Sequence, residues 1–113
     1  NKDYRYYIWH KQLSIQVFYQ LNDRRSAKTY LTTYRVYLRR NKATISPNIW
    51  VLSLNFCEYI EKLLKYTETG GVDKQLIGTT KMALQKEGLI SFLPKKWLLR
   101  EFDILLEIPK SIN

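Results

Sequence analysis

Between Arg24 and Arg40 the apolar residues recur every third or fourth position, and no other stretch so narrows the folds open to this chain. At about 100° per residue, Ala27, Tyr30, Leu31, Tyr34, Tyr37 and Leu38 gather on one face of a helix. Arg24, Lys28, Arg35, Arg39 and Lys42 gather on another. Asn22 or Asp23 is placed to cap the free amides of the first turn. A helix divided in this way needs a partner for its aromatic stripe, and the composition supplies one: 45% of the residues are hydrophobic and 14% aromatic. Each large apolar side chain contributes roughly 1.5–3 kcal/mol when fully buried. The 113 residues therefore read as one folding unit with an aromatic-rich core.

The remaining segments are divided by sparse punctuation at Asn22-Asp23, Ser46-Pro47-Asn48, Gly70-Gly71, Gly88, Pro94 and Pro109. From Leu13 to Leu21 the apolar residues fall at every second position, as in a half-buried strand, although Leu13, Val17 and Leu21 also suit a helix. Residues 1–22 are thus an N-terminal arm or strand, with Tyr4 to Trp9 aromatic enough to pack onto the domain, and residues 23–42 form the basic helix. Ser46-Pro47 ends that element. Ile49 to Leu52 reads as a short strand, and Ser53 as the cap of a helix from Leu54 to about Tyr66, with Phe56, Tyr59, Ile60, Leu63 and Leu64 on its apolar stripe. After the Gly70-Gly71 turn a third helix runs from Asp73 to about Glu87, with Gly88 as its stop. Leu76, Ile77, Thr80, Ala83 and Leu84 share one side of it; Lys74, Gln75, Gly78, Lys81, Met82 and Gln85 share the other. Leu89 to Leu93, Pro94-Lys95-Lys96 and Trp97 to Ile108 then read as strand, basic turn and strand.

Helix, glycine-containing turn, helix and hairpin in that order resemble a winged helix-turn-helix over residues 53–108. The passage Lys81-Met82-Ala83-Leu84-Gln85-Lys86-Glu87-Gly88-Leu89-Ile90 looks like the end of that family's recognition helix running into its first wing strand. The resemblance implies an α+β fold with three main helices and a C-terminal β-hairpin wing. It also implies a DNA-binding domain in regulation, replication or partition, in which Lys74, Gln75, Lys81 and Gln85 face the major groove while Lys95 and Lys96 on the wing touch the backbone. The turn from Thr67 to Gly71 is longer than that family's usual turn, and Asp73 would face phosphates unfavourably. The same resemblance admits a different use, as a protein-association or homodimerisation module of a larger chromatin or replication protein. Exposed-looking Met82 and the hydrophobic residues from Trp97 to Ile108 favour that use. Separately, Ser26 to Arg40 looks like the first helix of the core-binding domain of tyrosine recombinases, a helical family that clamps DNA.

Charge points to the kind of partner. Of a net +9, residues 1–42 carry +8, with ten Lys/Arg against the two acids Asp3 and Asp23. The other 71 residues carry nine Lys/Arg against eight acids. Such a surface attracts anions, and double-stranded DNA held through Arg24, Lys28, Arg35 and Arg39 is the partner expected first. An acidic protein is the other. A charge stripe on an amphipathic helix is also commonly no more than a wetted face. Tyrosines at 4, 6, 7, 30, 34 and 37 could stack on single-stranded bases, but the helical placement of Tyr30, Tyr34 and Tyr37 favours the core.

Catalysis is not expected. His10 is the only histidine, Cys57 the only cysteine, and no serine or carboxylate stands in a nucleophile or acid–base pattern. Thr69-Gly70-Gly71 lacks the lysine and spacing of a phosphate loop. One cysteine forms no internal disulfide and no zinc pattern, so no cofactor or metal is implied, and an intracellular, reducing compartment is the simplest reading. No apolar run is long enough to span a bilayer, the basic start is unlike a secretory signal, and no small-molecule substrate is implied. A chain opening on Asn1 rather than Met reads as a piece of something larger.

Overall fold

The computed structural model describes residues 4–68, 73–86 and 93–107. Among these residues there are five α-helices and no strand: α1 (Tyr4–Gln20), α2 (Arg24–Arg40), α3 (Pro47–Glu68), α4 (Lys74–Lys86) and α5 (Leu93–Glu107), with a 3₁₀ turn at Lys42–Thr44 before α3. The chain groups into two compact units, residues 1–57 and 58–113, so that α3 ends one and begins the other.

This overturns the expected α+β winged helix-turn-helix. The span read as the second wing strand is α5, in which Leu98, Phe102 and Leu105 are buried at spacings of four and three. That is helical spacing, and Pro94, read as a turn, sits in the first helical turn, where its missing N–H is no loss. The segment left open as strand or helix at Leu13 to Leu21 belongs to α1, whose inner face is Ile8, Gln12 and Ile15. Residues 4–20, expected as an arm or strand, therefore form a packed helix. Ile49 to Leu52 lies in the first turns of α3, which starts seven residues before Leu54. There Ser46 acts as the cap: its Oγ accepts the Ile49 N–H at 3.4 Å and its carbonyl accepts the Trp50 N–H at 2.9 Å, with Pro47 first in the helix. Ser53, expected as that cap, is instead buried within α3. The Gly70-Gly71 turn, the Gly88 stop and the Leu89-Ile90 strand start lie outside the described residues.

In the first unit α1 and α2 form an antiparallel hairpin. Asn22 takes a left-handed φ of 63°, a conformation that asparagine tolerates at helix ends. This lets the Asp23 N–H reach the Phe18 carbonyl at 2.9 Å and the Asn22 N–H reach Tyr19 at 3.0 Å, closing α1. Asp23 then opens α2: its carboxylate accepts the Ser26 N–H at 3.1 Å and the Ser26 hydroxyl at 2.7 Å. These bonds, the hydroxyl first, hold its pKa below the usual carboxylate range. Across the hairpin Tyr7 stacks on Tyr37 at 3.9 Å between ring centroids, and Phe18 leans on Tyr30 at 4.9 Å. Ala27, Leu31, Tyr34 and Leu38 are buried. The start of α3 docks on the same unit through Trp50 Nε1, which donates to the Leu38 carbonyl at 3.3 Å, and through the Phe56 ring edge-on to Tyr34.

One polar pair sits inside this core. Gln12 Nε2 donates to the Tyr34 hydroxyl at 2.8 Å. Tyr34 is fully buried, and burial pushes its phenol well above the ordinary pKa. Removal from water penalises the phenolate more than its hydrogen bonds favour it.

The second unit packs the end of α3 with α4 and α5. Phe102 receives Tyr59 and Tyr66 edge-on at 6.3 and 6.4 Å. The Tyr66 hydroxyl is 2.8 Å from Thr80 Oγ1, which also donates to the Leu76 carbonyl. Ile60, Leu63, Ile77, Leu84 and Leu98 are buried. Asp73 caps α4 by accepting the Leu76 N–H at 3.0 Å.

Candidate nucleic-acid interface

The unit boundary sharpens the charge asymmetry. Residues 43–57 add no charged side chain, so the whole +8 belongs to the first unit and the second carries +1. No acidic residue lies between Asp23 and Glu58, and Asp23 is engaged at the start of α2. Along α2, Lys28 and Arg39 are exposed, as are Arg25 and Arg40, while Arg24 and Arg35 are half-buried beside the packed face. Arg24 Nε is buried without a hydrogen-bond partner. With a rise of about 1.5 Å per residue, the charges at 24, 28, 35 and 39 are spread over roughly 23 Å of helix axis. Lys42 continues the charge past the helix end, its Nζ 4.5 Å from the Trp50 ring centroid.

The four residues expected on α2 thus share one rigid element. Arg25 and Arg40, outside the expected stripe, widen the cationic band; both are visible in the sequence as neighbours of stripe residues. Lys11 on α1 adds a cation that the α2 pattern does not reveal, its Nζ 4.5 Å from the Tyr30 ring centroid and 5.4 Å from that of Tyr7. Such a cation is attracted to the ring faces by their quadrupole.

The candidates in the second unit fare differently. Lys81 is ion-paired with Asp103 of α5, so its charge is partly spent within the unit. Lys74 stands half-buried in the first turn of α4, with Gln75 and Gln85 exposed on that helix. Lys95 and Lys96 occupy the first turn of α5, not the tip of a β-hairpin. The expected split of α4 into packed and outward faces holds at Ile77, Thr80 and Leu84, which are buried. It fails at Leu76 and Ala83, which are exposed with Met82.

Most of the tyrosines are structural. Tyr34 is buried, Tyr7 and Tyr37 stack on each other, and Tyr30 packs on Phe18. The Tyr4 oxygen accepts the Ser46 N–H at 3.3 Å, which lowers the phenol pKa. Tyr6 alone of the six is largely exposed. Among the described residues no three His, Cys, Asp or Glu side chains cluster as metal ligands, and no helix is long and apolar enough to cross a membrane.

The sequence matches no known protein-family model, no curated protein and no solved structure.

Proposed function

We propose that this chain is a non-catalytic module that holds double-stranded DNA by its phosphates along α2. The observation that carries the reading is the confinement of the charge excess to one compact unit, most of its cations standing on one capped helix. Arginine suits the task because its planar fork of donors meets two phosphate oxygens together. A regular row of cations on a rigid helix complements the regular phosphate array of a duplex. Arg24, Lys28, Arg35 and Arg39 make the principal contacts, with Arg25, Arg40 and Lys42 at the margins. Lys74, Gln75, Gln85, Lys95 and Lys96 belong to a nearly neutral unit and are secondary. The resemblance of Ser26 to Arg40 to a DNA-clamping helix supports the same reading.

Fluorescence anisotropy with a random duplex over a salt series tests it. Four to six phosphate contacts correspond to a log–log salt slope of about −3.5 to −5.5, at about −0.9 per phosphate. Replacing both Lys28 and Arg39 by Gln should flatten the slope by about 2 and weaken all sequences alike. Lys81→Gln should leave it unchanged. Binding that ignores salt, or that is indifferent to the Lys28 and Arg39 changes, would refute this assignment.

A further inference from the structure

The outer face of α1 carries a run of exposed hydrophobic side chains that continues to Leu21, with His10 and Gln20 exposed among them. Tyr6, Trp9, Leu13, Val17 and Leu21 follow one another at intervals of three and four, with 63, 50, 42, 47 and 68% of their surface exposed. At about 100° per residue they fall on one stripe, opposite the buried Ile8, Gln12 and Ile15. Scattered exposed hydrophobics are ordinary on a protein surface. A helix that is apolar on two opposite faces, with only one of them packed, is not.

The stripe has a concave edge. His10, Leu13, Ser14, Val17, Phe18 and Tyr30 line an open apolar cavity of about 210 Å³ between α1 and α2. An apolar cavity of roughly 150 Å³ already accepts a benzene ring, so this one takes a large aliphatic or aromatic side chain. Tyr6 stands against both Trp9 and His10, with centroids 6.4 and 6.3 Å away, which supplies aromatic anchors at the other end of the stripe.

Charge decides among occupants. Neither α1 nor α2 holds an acidic residue, and Arg5 and Lys11 stand on the same helix as the stripe. A second copy would set +8 against +8 across the contact. A lipid surface has no fixed side chain at helical spacing to seat in the cavity. The shape and sign that fit are those of an amphipathic helix with apolar residues at i, i+3 or i+4 and i+7, flanked by Glu and Asp.

We infer that the outer face of α1, with the cavity it shares with α2, is a docking groove for an acidic amphipathic helix of another protein. This surface is separate from the outward cations of α2, so the two can be tested apart.

The experiment selects displayed helical peptides against the whole chain, from two libraries with the same randomised apolar face and either Glu or Lys on the flanks. Selected peptides are then titrated against the native chain, the Leu13→Gln/Val17→Gln variant and the Lys28→Gln/Arg39→Gln variant. The expected result is enrichment of the Glu-flanked library, with dissociation constants at least tenfold lower than for Lys-flanked versions of the same peptides. The Leu13/Val17 variant should lose at least tenfold in peptide affinity while keeping its circular dichroism spectrum and its duplex-DNA affinity. Equal enrichment of both libraries, or binding that survives loss of Leu13 and Val17, overturns the inference. So does a dimer in sedimentation that these two substitutions abolish, which would make a second copy the occupant. Vesicles of phosphatidylcholine and phosphatidylserine bound through Leu13 and Val17, in place of the acidic peptides, would overturn it in favour of a membrane surface.

Discussion

Replacing Tyr34 by Phe removes one oxygen from the first unit and leaves the Gln12 amide, which donates to it at 2.8 Å, buried without its acceptor. Stranding a buried donor costs about 1–3 kcal/mol, more than the net worth of the hydrogen bond itself. Gln12→Leu does the converse: it takes the Gln12 amide from the Tyr34 hydroxyl and leaves Ser53 as that hydroxyl's polar neighbour. That cost falls at the lower end of the same range, about 1 kcal/mol. When both changes are made no polar atom of the pair remains, so the double variant should lie close to the parent. The cycle therefore carries a favourable coupling equal to the sum of the two single losses, about 2 kcal/mol or more. Urea unfolding followed by tryptophan fluorescence measures it, because Trp9 and Trp50 report on this unit. With an m-value of about 2 kcal/mol/M, each single variant should move its midpoint down by roughly 0.5–1.5 M. The double variant should recover most of the loss. Strictly additive losses would show that water or another group satisfies Gln12 when Tyr34 is gone, and would refute the account of a closed polar pair.

Further expectations concern pH and packing. Burial raises the pKa of Tyr34, and of Tyr37 where burial is again the first cause. Their contribution to stability should be whole below the ordinary phenol pKa of about 10 and decline as pH rises above it, toward the folded values. An alkaline unfolding series should show this decline, and show it reduced in Tyr34→Phe. At the acid end, the Ser26 hydrogen bonds lower the pKa of Asp23. Its contribution should be present above the usual carboxylate pKa and lost as pH falls through the folded value. Asp23→Asn, which keeps a capping oxygen, should flatten that acid limb in thermal melts while α2 stays formed by circular dichroism. In the second unit, Phe102→Ala empties a fully buried site beneath Tyr59 and Tyr66 and should cost about 3–5 kcal/mol in chemical denaturation.

Sequence alone placed α2 at its observed limits, because a one-sided apolar pattern and a side-chain cap at Asp23 agree there. It leaves α1 open between strand and helix for a physical reason. Ile15 and Tyr19 face inward or sideways while Leu13, Val17 and Leu21 face out, and two apolar faces of one helix add up to a false period of two. The C-terminal span was misread because Trp97, Leu99, Ile104 and Leu106 fill the gaps between Leu98, Phe102 and Leu105, hiding the helical spacing. Pro94 was also taken for a turn instead of a helix start. Of the candidate interface, the α2 cations were legible since they share one helix. The fate of Lys81 was not: its carboxylate partner, Asp103, stands on another helix, in a span whose pattern resembles a strand.

The link Leu21-Asn22-Asp23 lets residues as distant in sequence as Tyr7 and Tyr37 stack without closing a long loop. The entropy of loop closure grows with loop length, so a hairpin joined by so short a link gathers its contacts early. Most of what holds the first unit lies within one chain turn, and helical topologies of this kind fold in microseconds to milliseconds. During synthesis, every residue needed for the hairpin has been made once Arg40 is added. The hairpin can then form before residues 41–113 are made.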